Sequence, residues 1–366
     1  MAKVSNVKIG NCYIGPDDPV YIVAELSANH HHNLDIAQKT IEAIKESGAD
    51  AVKFQTYTAD TLTIDCNNEY FQIKQGTLWD GKTLYDLYKE AYMPWEWQPK
   101  LKRIAEELGL ICFSSAFDKT SVDFLEEMDV AAHKIASFEI TDIPLIEYVA
   151  SKGKPILIST GIATIEDIED AVDACRNAGN DQVVILKCTS CYPAKEDQLN
   201  LKTITDIAQR FGVNTGFSDH SISTTVPAIA VACGACIIEK HFILDKSQGG
   251  PDAVFSLEPA EFKQMVDTVK NIEKASRKIP PELAKQAKVA IGKVSYELSE
   301  QANKNRNFCR SLFVVEDIKA GDAITEENVR SIRPGFGLSP EYLKDVLGRV
   351  AAKDIKRGTP LSWDLF

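Results

Sequence analysis

Two histidines, His220 and His241, end two successive apolar runs, Asn214-Thr-Gly-Phe-Ser-Asp-His and Cys236-Ile-Ile-Glu-Lys-His. The runs read as short buried strands joined by a helical segment over Thr224–Cys233. If they are parallel neighbours, about 5 Å apart, both imidazoles can reach one ion. Two imidazoles with the remaining positions open suit a catalytic divalent metal better than a structural one. Two unrelated polar residues at strand ends are the plain alternative, and the rest of the chain bears on the choice.

Polar groups stand in the same place on the other apolar runs. Strands are predicted at Val20–Glu25, Asp50–Gln55, Leu110–Ser115, Ala132–Ser137, Pro155–Thr160, Val183–Cys188, Asn214–Phe217 and Cys236–Phe242. Their C-terminal ends carry Glu25, Lys53 with Gln55, Ser114 with Ser115, and Lys134 with Ser137. Then come Ser159 with Thr160, Lys187 with Thr189 and Ser190, Ser218 with His220, and Glu239 with His241. Period-two alternation puts Lys53 and Gln55 on one face, and Glu239 and His241 on one face. Serines at strand ends need no explanation, but a lysine pointing inward from Ala-Val-Lys-Phe-Gln or His-Lys-Ile-Ala-Ser needs an anionic partner. Converging lysines and hydroxyls make a pocket for a phosphate or carboxylate. A metal beside them can polarise a carbonyl oxygen and hold a water, for which Glu25 is a candidate base. The combination points to a phosphorylated, carboxylated substrate meeting an aldehyde.

The elements that position these groups alternate. Helical patterns such as Ile165, Ile168, Val172 and Cys175 fall between the strands. Eight such units in about 260 residues match a (β/α)8 TIM barrel, whose active sites lie at the C-terminal ends of the strands. A doubly wound sheet is the runner-up, weakened by the lack of a Gly-rich dinucleotide fingerprint. The excursion Thr56–Pro94, rich in aromatics, is predicted to bind substrate. His30-His31-His32 is expected to be a solvent-exposed loop rather than a metal cluster, because consecutive side chains point apart.

Residues 1–281 are therefore assigned to the barrel and 282–306 to a polar, partly helical linker opened by Pro280-Pro281. Residues 307–366 form a small, mostly β domain. There Asp317-Ile-Lys-Ala-Gly-Asp-Ala-Ile-Thr and Asp354-Ile-Lys-Arg-Gly-Thr-Pro-Leu-Ser repeat a strand, glycine turn, strand pattern. So small a unit buries a modest core and is expected to dock on something.

Composition excludes several classes. The 366 residues carry a net charge of −12, which argues against a nucleic-acid partner. Met1 to Pro19 lacks an apolar signal region and no apolar run is long enough to span a bilayer, so a cytoplasmic protein without a membrane partner is expected. Nine cysteines suggest reduced thiols. The C-x-x-C pairs Cys188/Cys191 and Cys233/Cys236 fall at opposite ends of the barrel, roughly 15–20 Å apart, too far to share zinc.

Ala24-Glu-Leu-Ser-Ala-Asn-His, Val52-Lys-Phe-Gln-Thr-Tyr, Lys134-Ile-Ala-Ser, Ser159-Thr-Gly, Tyr192-Pro, Gly216-Phe-Ser-Asp-His, Glu239-Lys-His-Phe and Gly250-Pro-Asp together resemble the sialic acid synthase family. Asn307-Phe-Cys-Arg-Ser-Leu and Arg333-Pro-Gly-Phe-Gly-Leu-Ser-Pro resemble that family's C-terminal antifreeze-like (SAF, β-clip) domain, so the likeness covers nearly the whole chain. Gln75-Gly-Thr-Leu-Trp-Asp-Gly-Lys-Thr-Leu-Tyr-Asp-Leu-Tyr, Ala91-Tyr-Met-Pro-Trp-Glu-Trp and Ser137-Phe-Glu-Ile-Thr-Asp are most similar to the branch that makes pseudaminic acid. Phe138 stands where neuraminate-forming members carry glycine, a change that alters which sugar fits.

The resemblance implies condensation of phosphoenolpyruvate with 2,4-diacetamido-2,4,6-trideoxy-L-altrose and water, releasing phosphate by C–O cleavage. It implies that His220 and His241 bind a divalent metal, Mn2+ before Mg2+ or Co2+, and that Glu25 is the base. Lys53, Lys134, Ser137, Ser190 and Ser218 match phosphoenolpyruvate-binding positions, joined by Ser115 and Thr160. Gln55, Glu139, Tyr192 and Asp252 match sugar-binding positions. Arg310 matches a residue that the small domain of one subunit inserts into its partner's barrel, which implies a domain-swapped homodimer. His31-His32 and Ser190 depart from the family pattern. Rival readings are a neuraminate or legionaminate synthase of the same mechanism, a Schiff-base aldolase using Lys187, and a carbohydrate- or ice-binding protein carried by the small domain.

Overall fold

A computed structural model describes residues 7–74, 76 and 79–366. Residues 1–6 and, within the aromatic motif quoted above, Gln75, Thr77 and Leu78 lie outside the described residues. A two-stranded antiparallel hairpin, β1 (Val7–Ile9) and β2 (Cys12–Ile14), precedes the barrel. The barrel strands are β3 (Tyr21–Glu25), β4 (Ala51–Thr56), β5 (Ile111–Ala116), β6 (His133–Ile135), β7 (Ile156–Ser159), β8 (Val183–Cys188), β9 (Asn214–Asp219) and β10 (Ile237–His241). All neighbours pair in parallel, and β10 closes on β3.

The helices that alternate with them begin where the sequence supplies caps. In α1 (Leu34–Glu46), Asn33 accepts from the first turn's N–H groups. Next come α2 (Ala59–Leu62) and α3 (Leu84–Ala91) within the long excursion, then α4 (Gln98–Glu107), α5 (Lys119–Glu127) and α6 (Ile143–Ala150). The capping box of Thr164 with Asp167 opens α7 (Ile165–Asn177), whose Ile168, Val172 and Cys175 are buried as their spacing requires. α8 (Thr203–Phe211), α9 (Val226–Ala232) and α10 (Pro259–Lys274) complete the ring. Val52 and Phe54 pack in the apolar layer between strands and helices, which leaves Lys53 and Gln55 to face the barrel axis.

Predicted and observed strands agree within two residues at every end; β6 stops two residues early, at Ile135, because Ser137–Glu139 form a 3-10 turn. That turn swings Ser137 over the barrel mouth. The linker is helical at α11 (Ala284–Ile291) and α12 (Glu300–Asn305), separated by an irregular stretch over 292–299.

In the small domain the named strands are β11 (Ser311–Val314) and β12 (Val329–Ile332). The internal repeat is not a pair of full strand-turn-strand units, as the sequence suggested. Its two copies meet through one isolated bridge, in which Ile318 and Ile355 exchange backbone hydrogen bonds, while Ala323 of the first copy bridges to Val350, ahead of the second.

Phe308, Phe313 and Ile332 share an apolar cluster with Tyr57, Leu62 and Phe71 of the barrel's excursion and with Phe117, just after β5. The small domain thus finds its docking surface on the barrel mouth. No helix among the described residues is long and apolar enough to cross a membrane.

The histidine triplet corrects its prediction. His30 is fully buried, edge-on to Trp97 at 5.9 Å between ring centroids, and only His32 is exposed. Burial pushes His30 down to about 3, so it is a neutral packing residue. Among the described residues no group of three or more His, Cys, Asp or Glu side chains is arranged to hold a metal.

Candidate active site

Strand register assembles the site. Glu25 lies beside Lys53 across β3 and β4, Gln55 beside Ser115, Ser115 beside Lys134, Ser218 beside Glu239, and His241 beside Glu25. These side chains form a belt inside the C-terminal end of the barrel. Its hub is Glu239, a residue whose strand-end position was visible in the sequence but whose role was not. Lys134 Nζ lies 3.0 Å from both Glu239 oxygens, Lys53 Nζ lies 2.8 Å from one, and Ser218 donates to it at 3.0 Å. Lys53 also pairs with Glu25 at 3.1 Å, and Lys134 donates to Ser159 at 2.7 Å.

These ion pairs are almost dry, so their electrostatics differ from those of surface pairs. Burial opposes the charge on Lys53, but Glu239 and Glu25 outweigh it and raise its pKa. For Lys134 burial wins over Glu239, and Lys53 repels it further, so its pKa falls to about 8. Burial would raise Glu25 and Glu239, yet His241 and Lys53 hold the first well below the usual carboxylate range, and Lys134 and Lys53 lower the second.

The two histidines stand beside the belt with ring centroids 5.4 Å apart. His220 Nδ1 faces the Thr189 carbonyl at 3.3 Å and the Cys188 thiol at 3.5 Å; the tautomer that donates from Nδ1 to the carbonyl leaves the Nε2 lone pair for a metal. His241 Nε2 lies 3.1 Å from Glu25, while its buried Nδ1 has no hydrogen-bond partner. Asp252 approaches that nitrogen at 3.7 Å and accepts from Ser27, which in turn accepts from Gln55 at 2.9 Å. Gln55 also donates to Glu25 at 2.8 Å. An orphaned buried nitrogen beside a second imidazole and a carboxylate fits a metal with two protein nitrogens and open positions.

The pocket over the belt is a cavity of about 150 Å³ beneath an open mouth. Its floor carries Glu25, Lys53, Gln55, Ser115, Lys134, Ser137, Ser218, Glu239 and the two histidines. Its upper walls are aromatic, with Tyr57, Trp79, Tyr88, Phe117, Phe138, Tyr192 and Phe255, and Phe308 from the small domain. The long excursion therefore contributes pocket-lining side chains, Tyr57, Trp79 and Tyr88 among them.

Three residues expected in the pocket stand behind its wall, and a fourth lies at the domain junction. Thr160 donates to the Leu186 carbonyl at 3.3 Å. Ser190 is fully buried behind Gly161, where an added Cβ would lie 2.0 Å from the Ser190 oxygen and 2.8 Å from that of Ser137. Glycine there is what lets both hydroxyls close on the Gly161 main chain, whose N–H donates to Ser137 at 3.1 Å. Glu139 is fully buried and accepts from Arg333 Nε and Nη2 at 2.9 and 2.6 Å.

Arg310 donates to the Ser331 and Thr61 carbonyls at 2.7 and 3.2 Å. Because β11 begins directly after it, Arg310 stays at the junction. The arginine that does line the pocket is Arg333, just after β12, which also donates to the Tyr88 hydroxyl at 3.1 Å and lies over Tyr88, Phe117 and Phe138. Only its place in the Arg-Pro-Gly motif hinted at it. Lys187 donates to the Cys188 carbonyl at 2.7 Å and faces a separate cavity with Asn200 and Tyr296, which removes the basis of the aldolase reading. All nine cysteines are free thiols, and Cys188, which lines that separate cavity, lies 3.5 Å from His220.

The NeuB family model matches residues 40–279, and a SAF domain model matches residues 310–366. The chain is 45% identical to pseudaminic acid synthase of Campylobacter jejuni over 97% of its own length and 98% of that protein. It is 34% identical to N,N'-diacetyllegionaminic acid synthase of Legionella pneumophila, over 94% of each. The crystal structure of spore coat polysaccharide biosynthesis protein SpsE from Bacillus subtilis superposes with a TM-score of 0.84 at 34% identity, covering 99% of both chains.

Proposed function

The chain belongs to the NeuB family, and on that premise we propose that it acts as a pseudaminic acid synthase. It joins phosphoenolpyruvate to 2,4-diacetamido-2,4,6-trideoxy-L-altrose and water, giving pseudaminic acid and phosphate. The observation that carries this is the belt itself: two dry lysines share one carboxylate beside two imidazoles, under an aromatic roof.

Lys53 and Lys134 exchange part of their contact with Glu239 and Glu25 for the phosphate and carboxylate of phosphoenolpyruvate, with Ser115, Ser137 and Ser218 as hydroxyl donors. Thr160 and Ser190 support that surface from behind. The enol carbon C3 attacks the sugar aldehyde, water adds to the oxocarbenium-like C2, and the tetrahedral intermediate collapses with loss of phosphate. His220 and His241 would hold a divalent metal, Mn2+ before Mg2+ or Co2+, which supplies polarisation of the aldehyde and a more acidic water.

Glu25 accepts the water's proton. In the free protein it is a weak base, because His241 and Lys53 stabilise its charge. An anionic substrate that draws Lys53 away restores its basicity where it is needed. Gln55, Tyr192 and Asp252 face the sugar, and Glu139 fixes Arg333 at the roof. Methyl groups of a diacetamido, 6-deoxy sugar suit Phe138 and Phe308 better than the hydroxymethyl of a mannosamine.

The assembly proposed with this activity is a cytoplasmic homodimer that exchanges small domains. Each contact at the domain junction is kept when a second copy supplies the domain.

The test is phosphate release from phosphoenolpyruvate, before and after EDTA and with Mn2+ restored, offering the altrose derivative, N-acetylmannosamine and 2,4-diacetamido-2,4,6-trideoxymannose separately. Metal-dependent release with the altrose sugar alone is expected. Preference for a mannose-type sugar would retain the mechanism and move the assignment to a neuraminate or legionaminate synthase. Silence with all three would overturn the reaction.

A further inference from the structure

We propose that the buried Asp219–Lys240 pair is a positioning clamp that sets the separation of His220 and His241. The inference rests on the metal site proposed above.

Each histidine is preceded by one member of the pair. Successive strand residues face opposite sides, so His220 and His241 turn to the barrel mouth while Asp219 and Lys240 turn to the helices. The two are direct partners in the β9–β10 register. Lys240 Nζ lies 2.6 Å from Asp219 Oδ2, and neither side chain has any exposure.

Lys240 also donates to the carbonyl of Ser221, the residue after His220. Asp219 accepts from the Ser221 N–H at 2.8 Å and from its hydroxyl at 3.1 Å. A single ammonium therefore ties the Asp219 carboxylate and the Ser221 carbonyl, one on each side of His220, to the residue immediately before His241. On the other side of β10, His241 is opposite Glu25. His220 and His241 thus keep a fixed separation even though their own rings make few direct bonds.

A purely structural reading would have the pair stabilise the barrel without regard to the histidines. Its geometry is more specific than that reading requires, because the ion pair spans the two positions from which both proposed ligands depart. Ligand sets must be held to about half an ångström to bind metal well, and loss of an outer support typically weakens metal affinity 10–100-fold.

The experiment compares the full-length wild type with Asp219→Asn/Lys240→Met, which removes both charges at similar volume so that neither is left buried alone. Cobalt binding is titrated by absorption, alongside circular dichroism, kcat and the KM for phosphoenolpyruvate. The clamp predicts a folded variant whose Co2+ Kd rises at least about tenfold, with kcat falling and KM for phosphoenolpyruvate nearly unchanged. If the double variant does not fold, Asp219→Asn alone is the test, with a smaller loss of cobalt affinity expected. Wild-type cobalt affinity in either folded variant would overturn the clamp. A wild-type protein that takes up no cobalt would overturn the metal site and the clamp together. Cobalt uptake without turnover of any sugar would overturn the reaction alone and leave the clamp readout intact.

Discussion

Lys134 is the residue whose chemistry is most exposed to pH. Burial, set against a Glu239 already shared with Lys53, brings it down to about 8, whereas Lys53 is lifted above the ordinary lysine range by two carboxylates. The protonated amine is the form that holds an anion. It is therefore present below about pH 8 and lost above it, while Lys53 stays charged throughout. The kcat/KM for phosphoenolpyruvate is expected to be level below that pH and to fall by about tenfold per unit above it. A profile level to pH 9.5 would show that Lys134 does not bind the substrate anion. The lysines were legible in the sequence because a charged residue inside an alternating apolar strand demands a partner. The partner was not, because Glu239 meets Lys53 and Lys134 only when the eight strands close.

At the scale of elements, the barrel strands were legible from apolar runs and the helices from caps and 3.6-residue spacing. What sequence reasoning missed lies where elements cross. Arg333 follows β12 in the small domain yet binds Glu139, which follows β6 in the barrel, and the two are 194 residues apart. His30 follows β3 but is covered by Trp97, so local polarity misled.

The Arg333–Glu139 contact makes a prediction. Burial already raises the Glu139 pKa, with Arg333 and Arg310 opposing it. Arg333→Met leaves that carboxylate less compensated, at a cost of about 3–5 kcal/mol. A carboxyl group whose folded pKa is raised favours folding when protonated, so the variant should lose more stability at pH 8 than at pH 5. Adding Glu139→Gln should recover much of the loss. KM for the sugar should rise more than KM for phosphoenolpyruvate, since Arg333 belongs to the roof. Equal melting shifts at both pH values would mean that Glu139 is not charged against Arg333.

The whole molecule is a barrel whose active mouth is finished by a second domain. Phe308 and Arg333 complete the pocket, and the cluster of Tyr57, Phe71 and Phe117 with Phe313 and Ile332 seals the junction. A need to dock was legible from the domain's small size, but the chain that receives it was not, since the contacts are the same within one chain or between two. The linker is anchored to the barrel as far as Tyr296, which donates to Asp206 at 2.6 Å, and again at Arg306, which pairs with Asp167 at 2.6 Å. If the proposed exchange occurs, its hinge lies between these anchors, in the irregular stretch before α12. Two variants impaired for different reasons separate the arrangements: Lys134→Ala weakens the barrel floor, and Arg333→Met weakens the cap. Co-refolded as an exchanged dimer, they place an intact cap on an intact barrel in one of the two sites of each mixed pair, so activity should return. A mixture no more active than its parts would mean that each barrel is closed by its own chain, as the contacts of Arg310 with Thr61 allow.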